Sequence, residues 1–168
     1  MKNTENKTIQ ESFKLFSPLS GKVVELSEVK DEVFSQKILG DGIAVCPTVG
    51  ELCAPDDGQV VQVFESKHAI TMTTASGAEI LLHVGIDTVS LKGKHFDVQV
   101  KEGQEVRRGE VLITFDIKGI RSAGYDVTTP MIVSNSDDFV QSVTASGEIA
   151  VGAPVLYLEH RREGEGSV

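Results

Sequence analysis

Apolar residues in this chain come in short runs, separated at close intervals by glycine, proline, aspartate and serine. The runs Lys22-Val23-Val24-Glu25-Leu26, Gly42-Ile43-Ala44-Val45-Cys46-Pro47 and Gln59-Val60-Val61-Gln62-Val63-Phe64 are rich in β-branched residues and read as strands. So do Glu110-Val111-Leu112-Ile113-Thr114-Phe115-Asp116 and Ala153-Pro154-Val155-Leu156-Tyr157-Leu158-Glu159. Helical periodicity is weak throughout, so helices are expected only as single turns, at residues 29–34, 117–123 and 137–140, each opened or preceded by a polar capping residue. The pattern predicts an all-β domain: an antiparallel β-sandwich or barrel-sandwich hybrid with a few single-turn helices.

Two weak repeats run through the pattern. Phe16-Ser17-Pro18-Leu19-Ser20-Gly21-Lys22-Val23-Val24 and Cys53-Ala54-Pro55-Asp56-Asp57-Gly58-Gln59-Val60-Val61 each place a proline, two residues and a glycine before a strand. Residues 103–112 and 147–156 each set two glycines around a short apolar step before another strand. The chain therefore reads as interleaved copies of a small β unit. Residues 1–15 are polar and are expected to be a flexible tail, 16–160 the β domain, and 161–168 a second tail.

One predicted hairpin brings chemistry with it. Ala69 to Thr74 and Glu79 to Val84 flank the turn signal Ala75-Ser76-Gly77-Ala78. With Ser76 and Gly77 as a two-residue loop, Ile70 faces His83 and His68 faces Gly85, so the two histidines share a sheet face as diagonal neighbours about 7–8 Å apart. A three-residue loop would shift the register by one and send them to opposite faces. Paired imidazoles suit metal binding, proton transfer or nucleophilic attack on phosphorus. The other histidines, His95 in a connection and His160 near the end, are expected to be solvated.

Composition narrows the partners. With 16 basic and 25 acidic residues the net charge is −9, which opposes nucleic acid and anionic lipid and permits attraction to a basic protein. Cys46 and Cys53 have neither zinc-knuckle nor Cys-x-x-Cys spacing and read as reduced, packed thiols. The start of the chain is too polar for a signal peptide, and no apolar run approaches the roughly 20 residues that cross a bilayer. A soluble, cytoplasmic monomer with no direct membrane insertion is expected.

The window Gly77-Ala78-Glu79-Ile80-Leu81-Leu82-His83-Val84-Gly85-Ile86-Asp87-Thr88-Val89 resembles the active-site signature of glucose-type enzyme IIA components of the bacterial phosphoenolpyruvate:sugar phosphotransferase system. Ser17-Pro18-Leu19-Ser20-Gly21, Gly40-Asp41-Gly42-Ile43-Ala44, Ala54-Pro55-Asp56-Asp57-Gly58, Lys67-His68-Ala69, Leu91-Lys92-Gly93 and Thr129-Pro130 followed by Ser134-Asn135 extend the likeness from about Phe16 to Leu158. The resemblance implies a phosphotransferase acting as a phosphocarrier. His83 would take a phosphoryl group from the phosphohistidine of HPr and pass it to a cysteine of an enzyme IIB domain of a permease for glucose or a related sugar. Attack would come from Nε2 of His83, with Nδ1 held by a carbonyl, that of Gly85. His68 would donate a hydrogen bond to the phosphoryl group, most strongly if charged. Ser66 stands where the family commonly has threonine, and its hydroxyl would orient His68. Asp87 would attract the basic face of HPr or shape its own turn. Val33, Phe34, Ile38, Leu39, Phe64, Leu81 and Val89, with Gly85 and Asp87, form the expected partner surface, Phe34 being the side chain most expected to be exposed.

Two other readings compete. A zinc hydrolase would use His83-x-x-x-Asp87, but such a site needs three protein ligands and an open position, and no third histidine stands at a recognisable spacing. A non-catalytic biotinyl- or lipoyl-like carrier is suggested by Lys101-Glu102-Gly103-Gln104-Glu105-Val106, yet the Met-Lys pair of a biotinyl hairpin tip is missing from the domain. No cofactor is expected and no metal is required, although zinc could bridge His68 and His83 to a carboxylate from another molecule.

Overall fold

The structure, a computed structural model, describes residues 11–161. The strands are β1 (Ser12–Phe16), β2 (Gly21–Glu25), β3 (Asp41–Pro47), β4 (Glu51–Cys53), β5 (Gly58–Val63), β6 (Ala69–Thr74) and β7 (Glu79–His83). They continue as β8 (Phe96–Val98), β9 (Glu105–Val106), β10 (Val111–Phe115), β11 (Thr129–Val133), β12 (Phe139–Val143), β13 (Glu148–Ile149) and β14 (Pro154–His160). They form an eight-stranded sheet in the order β13-β2-β3-β11-β7-β6-β5-β9 and two three-stranded sheets, β1-β14-β12 and β4-β10-β8, with every pairing antiparallel. This is the antiparallel all-β architecture that the pattern predicts.

The main core fills the space between the sheets with Leu15, Ile70, Leu82, Leu112, Met131 and Leu156 among its members. A smaller core of Leu26, Val29, Phe34, Ala44, Ile86 and Ile132 is built on a different set of side chains from the same central strands. β11 is buried at all five positions because it feeds both cores: Met131 and Val133 enter the first and Ile132 the second. Pro130 sits within it, paired with Ala44 of β3. A proline has no N–H to donate, and the β11–β7 ladder stops at Met131–Leu82, one residue short of His83.

Helices are single turns, as expected, with shifted bounds. α1 (Glu32–Ser35) starts later than the predicted 29–34 because Asp31 caps it, its carboxylate accepting from the Val33 N–H at 2.9 Å, while Val29 is extended and buried. α2 (Ile117–Ser122) is capped by Asp116 through the Gly119 N–H. The turn expected at 137–140 is a 3-10 turn at Ser136–Asp138, since Phe139 and Val140 already belong to β12.

One expected boundary needs correction. Residues 12–15 are not tail: β1 pairs with β14, and its alternation buries Phe13 and Leu15. The rest of that expected tail, residues 1–10, lies outside the described residues, as do 162–168. His160, expected to be solvated, is partly buried, because as the last residue of β14 it packs its ring 4.6 Å from that of Phe139. His95 is also partly buried, with Nδ1 3.7 Å from the Asp116 carboxylate.

Candidate functional site

The β6–β7 hairpin forms, but its register differs from the one predicted. Ala69 pairs with His83 and Ile70 with Leu82, and the loop has three residues, Ala75-Ser76-Gly77. Two local features favour the longer loop. Gly77 takes φ 105° at its last position, and the Thr74 hydroxyl accepts from the Ala78 N–H at 2.9 Å while bonding Ser76. Strict alternation in this register would separate the histidines, yet their ring centroids are 4.7 Å apart and nearly perpendicular, at 85°. They meet because each stands at a strand end. His83 closes β7, and His68 lies just before β6, after a turn in which the Lys67 N–H bonds the Phe64 carbonyl and Lys67 adopts φ 64°. That left-handed residue re-aims His68 out of the sheet's alternation. The Val84 N–H then donates to the His68 carbonyl at 2.8 Å and ties the two segments together.

Aromatic rings enclose the pair. Phe34 lies 5.1 Å from His83, and Phe64 and Phe96 lie 5.7 and 6.5 Å from His68. His68 is 2% exposed, and its Nδ1 is buried without a hydrogen bond of good geometry. Burial, and then the adjacent His83 ring, hold the His68 pKa down to about 4, with the Ser66 backbone carbonyl pulling weakly the other way. The free ring is therefore neutral at physiological pH, where the resemblance favours a charged donor. His83 is also held below its ordinary pKa, chiefly by burial, while the Gly85 carbonyl and the carboxylates of Asp31 and Asp87 act in the opposite direction. Its Nδ1 lies 2.8 Å from the Gly85 carbonyl oxygen. A carbonyl only accepts, so Nδ1 carries the proton and Nε2 keeps its lone pair.

The other expected residues divide. Val33, Ile38, Leu39 and Val89 are exposed on the two segments that flank the histidines. Phe34 is not: it is 5% exposed, because α1 turns its ring down onto His83 and the smaller core. Phe64 and Leu81 expose only part of their surface. Asp87 is exposed with φ 61°, at the turn into the 3-10 helix Thr88–Leu91. No hydrogen bond joins the Ser66 hydroxyl to His68, and the influence of Ser66 comes from its backbone. Asp31 and Phe96 are the residues that sequence reasoning misses. Asp31 carried a signal as an N-cap, but nothing local ties it to a histidine more than fifty positions on. Among the described residues no group of three His, Cys, Asp or Glu side chains is arranged to hold a metal ion. Zinc at the pair would need a ligand from another molecule. No helix among the described residues is long and apolar enough to cross a membrane.

Fold and site together define an antiparallel β domain that presents one unprotonated imidazole nitrogen beside a second, neutral imidazole. Residues 13–139 match the family described as phosphoenolpyruvate-dependent sugar phosphotransferase system, EIIA 1. The chain is 41% identical over 152 residues to the glucose-specific EIIA component of Haemophilus influenzae, covering 90% of each protein. It is 47% identical over 146 residues to the β-glucoside-specific EIIBCA component of Dickeya chrysanthemi, a match that takes in 86% of this chain and 23% of that protein. The structure of glucose permease IIA from Mycoplasma capricolum resembles it with a TM-score of 0.83 at 38% identity, covering 88% of this chain and 96% of the other. The chain belongs to the EIIA 1 family of the sugar phosphotransferase system, whose EIIA components are phosphotransferases that relay phosphate through histidine. It spans 20–23% of the length of the EIIBCA relatives it matches.

Proposed function

We propose that His83 is the relay histidine of a cytoplasmic phosphocarrier, taking its phosphoryl group from phospho-HPr and giving it to the cysteine of an enzyme IIB domain serving glucose or a related sugar. The observation that carries this reading is the Gly85 carbonyl on Nδ1, which leaves Nε2 as the free nucleophile. As the Nε2–P bond forms, the donor's N–P bond breaks and the donor nitrogen keeps the electron pair. Positive charge develops on the His83 ring, and the Gly85 carbonyl, Asp31 and Asp87 all favour it. Retaining that charge keeps the imidazole a good leaving group for the next transfer. Because the transition state is loose, the protein mainly positions groups and stabilises the phosphoryl oxygens. His68, whose Nδ1 is enclosed, suits that task when its Nε2 carries a proton to donate. Ser66 supports His68 through its backbone rather than its hydroxyl. Val33, Ile38, Leu39 and Val89 supply an apolar surface around the nucleophile for partners met in turn.

Incubation with enzyme I, HPr and phosphoenolpyruvate tests this. One acid-labile phosphate is expected, absent in His83→Ala, while His68→Gln accepts phosphate and fails to pass it to enzyme IIB. Phosphate on serine, or on His68 with His83 silent, refutes the assignment.

A further inference from the structure

The turn after His83 is held by a group to which the relay assigns no task. Thr88 is fully buried, and its hydroxyl donates to the carbonyl of Val84, four residues back. Val84 is also the residue whose N–H reaches His68, so its two backbone groups connect Thr88 to both histidines. The next peptide, between Gly85 and Ile86, is pinned at both ends. Its carbonyl accepts from His83 Nδ1, and its N–H donates to the Asp126 carbonyl at 2.9 Å. Gly85 takes φ 78°, and a Cβ there would fall 2.6 Å from the Thr88 methyl carbon and 2.8 Å from the Asp126 oxygen. Two consecutive peptides are thus fixed, one by a side chain and one by a neighbouring backbone, and the second faces the nucleophile.

We propose that Thr88 is a positioning residue for the relay: its hydroxyl fixes the Val84 carbonyl so that the turn presents the Gly85 carbonyl to His83 Nδ1, leaving Nε2 as the free ring nitrogen. The proposal rests on the reading of His83 as the nucleophile. Serine supplies the same hydroxyl. Valine copies the shape but leaves the Val84 carbonyl buried without its donor, and the turn is then free to rotate that peptide toward other partners. Once Gly85 swings away, the proton distributes between the two ring nitrogens and part of the population loses its nucleophile.

The test is nitrogen NMR of histidine-labelled full chain at pH 7.5, read beside phosphoryl uptake from phospho-HPr. Wild type should show His83 as one tautomer protonated at Nδ1. Thr88→Val should show a mixture of tautomers, faster solvent exchange of that proton and uptake slowed about tenfold, as for loss of an orienting partner of a functional histidine. Thr88→Ser should restore the single tautomer. An unchanged tautomer in Thr88→Val overturns the proposal, as does Thr88→Ser behaving like Thr88→Val, which would assign the effect to the methyl group. Should Thr88→Val fail to fold, the wild-type hydroxyl proton decides: a resonance protected from water supports the proposal, and one averaged with solvent overturns it. If His83 takes no phosphate in any of these proteins the relay reading fails, while the tautomer result still judges Thr88.

Discussion

Lowering the pH from 7.5 to 5 should cost the folded domain about 2 kcal/mol through His68 alone. Burial and the neighbouring His83 ring hold this side chain near a pKa of 4, against an ordinary value of 6.5. As the pH falls through 6.5 the unfolded chain takes up a proton here, and the folded chain does not until about pH 4. The unfolded state therefore binds more protons between those values, and stability drops as the pH drops. The loss saturates below pH 4: the gap of 2.5 pH units, at about 1.4 kcal/mol each, amounts to about 3 kcal/mol. Urea unfolding of wild type and His68→Gln at pH 7.5, 6.5 and 5, followed by circular dichroism, isolates the effect, because carboxylates common to both proteins cancel. Wild type should lose about 2 kcal/mol more than the variant between pH 7.5 and 5. Equal losses, or an NMR titration of His68 centred near 6.5, would refute the reasoning. The His83 ring is the second of the two causes that hold His68 down, so His83→Gln should raise the His68 midpoint toward its ordinary value.

Other outcomes follow from single contacts. Gly85→Ala meets backbone at Asp126 as well as the Thr88 methyl, and should lose more than about 2 kcal/mol of stability in thermal unfolding together with nearly all phosphoryl uptake. Asp31→Asn keeps an acceptor for the Val33 N–H, whereas Asp31→Ala removes it and should cost about 1 kcal/mol. Both remove a charge that favours protonated His83, so NMR should find its pKa lowered further in each. Phe34→Ala should destabilise by about 3–5 kcal/mol, as for a buried aromatic. Val33→Ser next to it should change stability by less than about 0.5 kcal/mol and slow transfer to partners, measured as a raised KM for phospho-HPr.

Strands with an alternating or continuous apolar run were legible wherever the run was long enough, and β6 falls at residues 69–74 as its pattern predicts. Short strands such as β8, β9 and β13 carry too few residues for a period to show, and β1 was hidden by the polar residues around Phe13 and Leu15. The histidine pair was anticipated from a hairpin register that the molecule does not use. Thr74, Ser76 and Gly77 chose a longer loop through side-chain bonds, and Lys67 at φ 64° undid the consequence. Neither a hydroxyl's choice of partner nor a left-handed lysine has a sequence signal comparable to Asn-Gly. Phe34 looked exposed because the segment around it is polar, but a single helical turn presents one side chain inward, and the His83 ring is part of what it packs on.

Pro130 gives the site a thermodynamic signature of its own. By withholding one N–H where β7 and β11 would otherwise continue, it leaves the corner of the sheet unzipped at His83, and the domain forgoes about 1 kcal/mol that one more ladder bond would contribute. A protein optimised for melting temperature would close that corner, where His83 is paired only on its other side, with Ala69 of β6. The unfinished ladder is thus a place, directly beside the reactive side chain, where attainable stability is left unused.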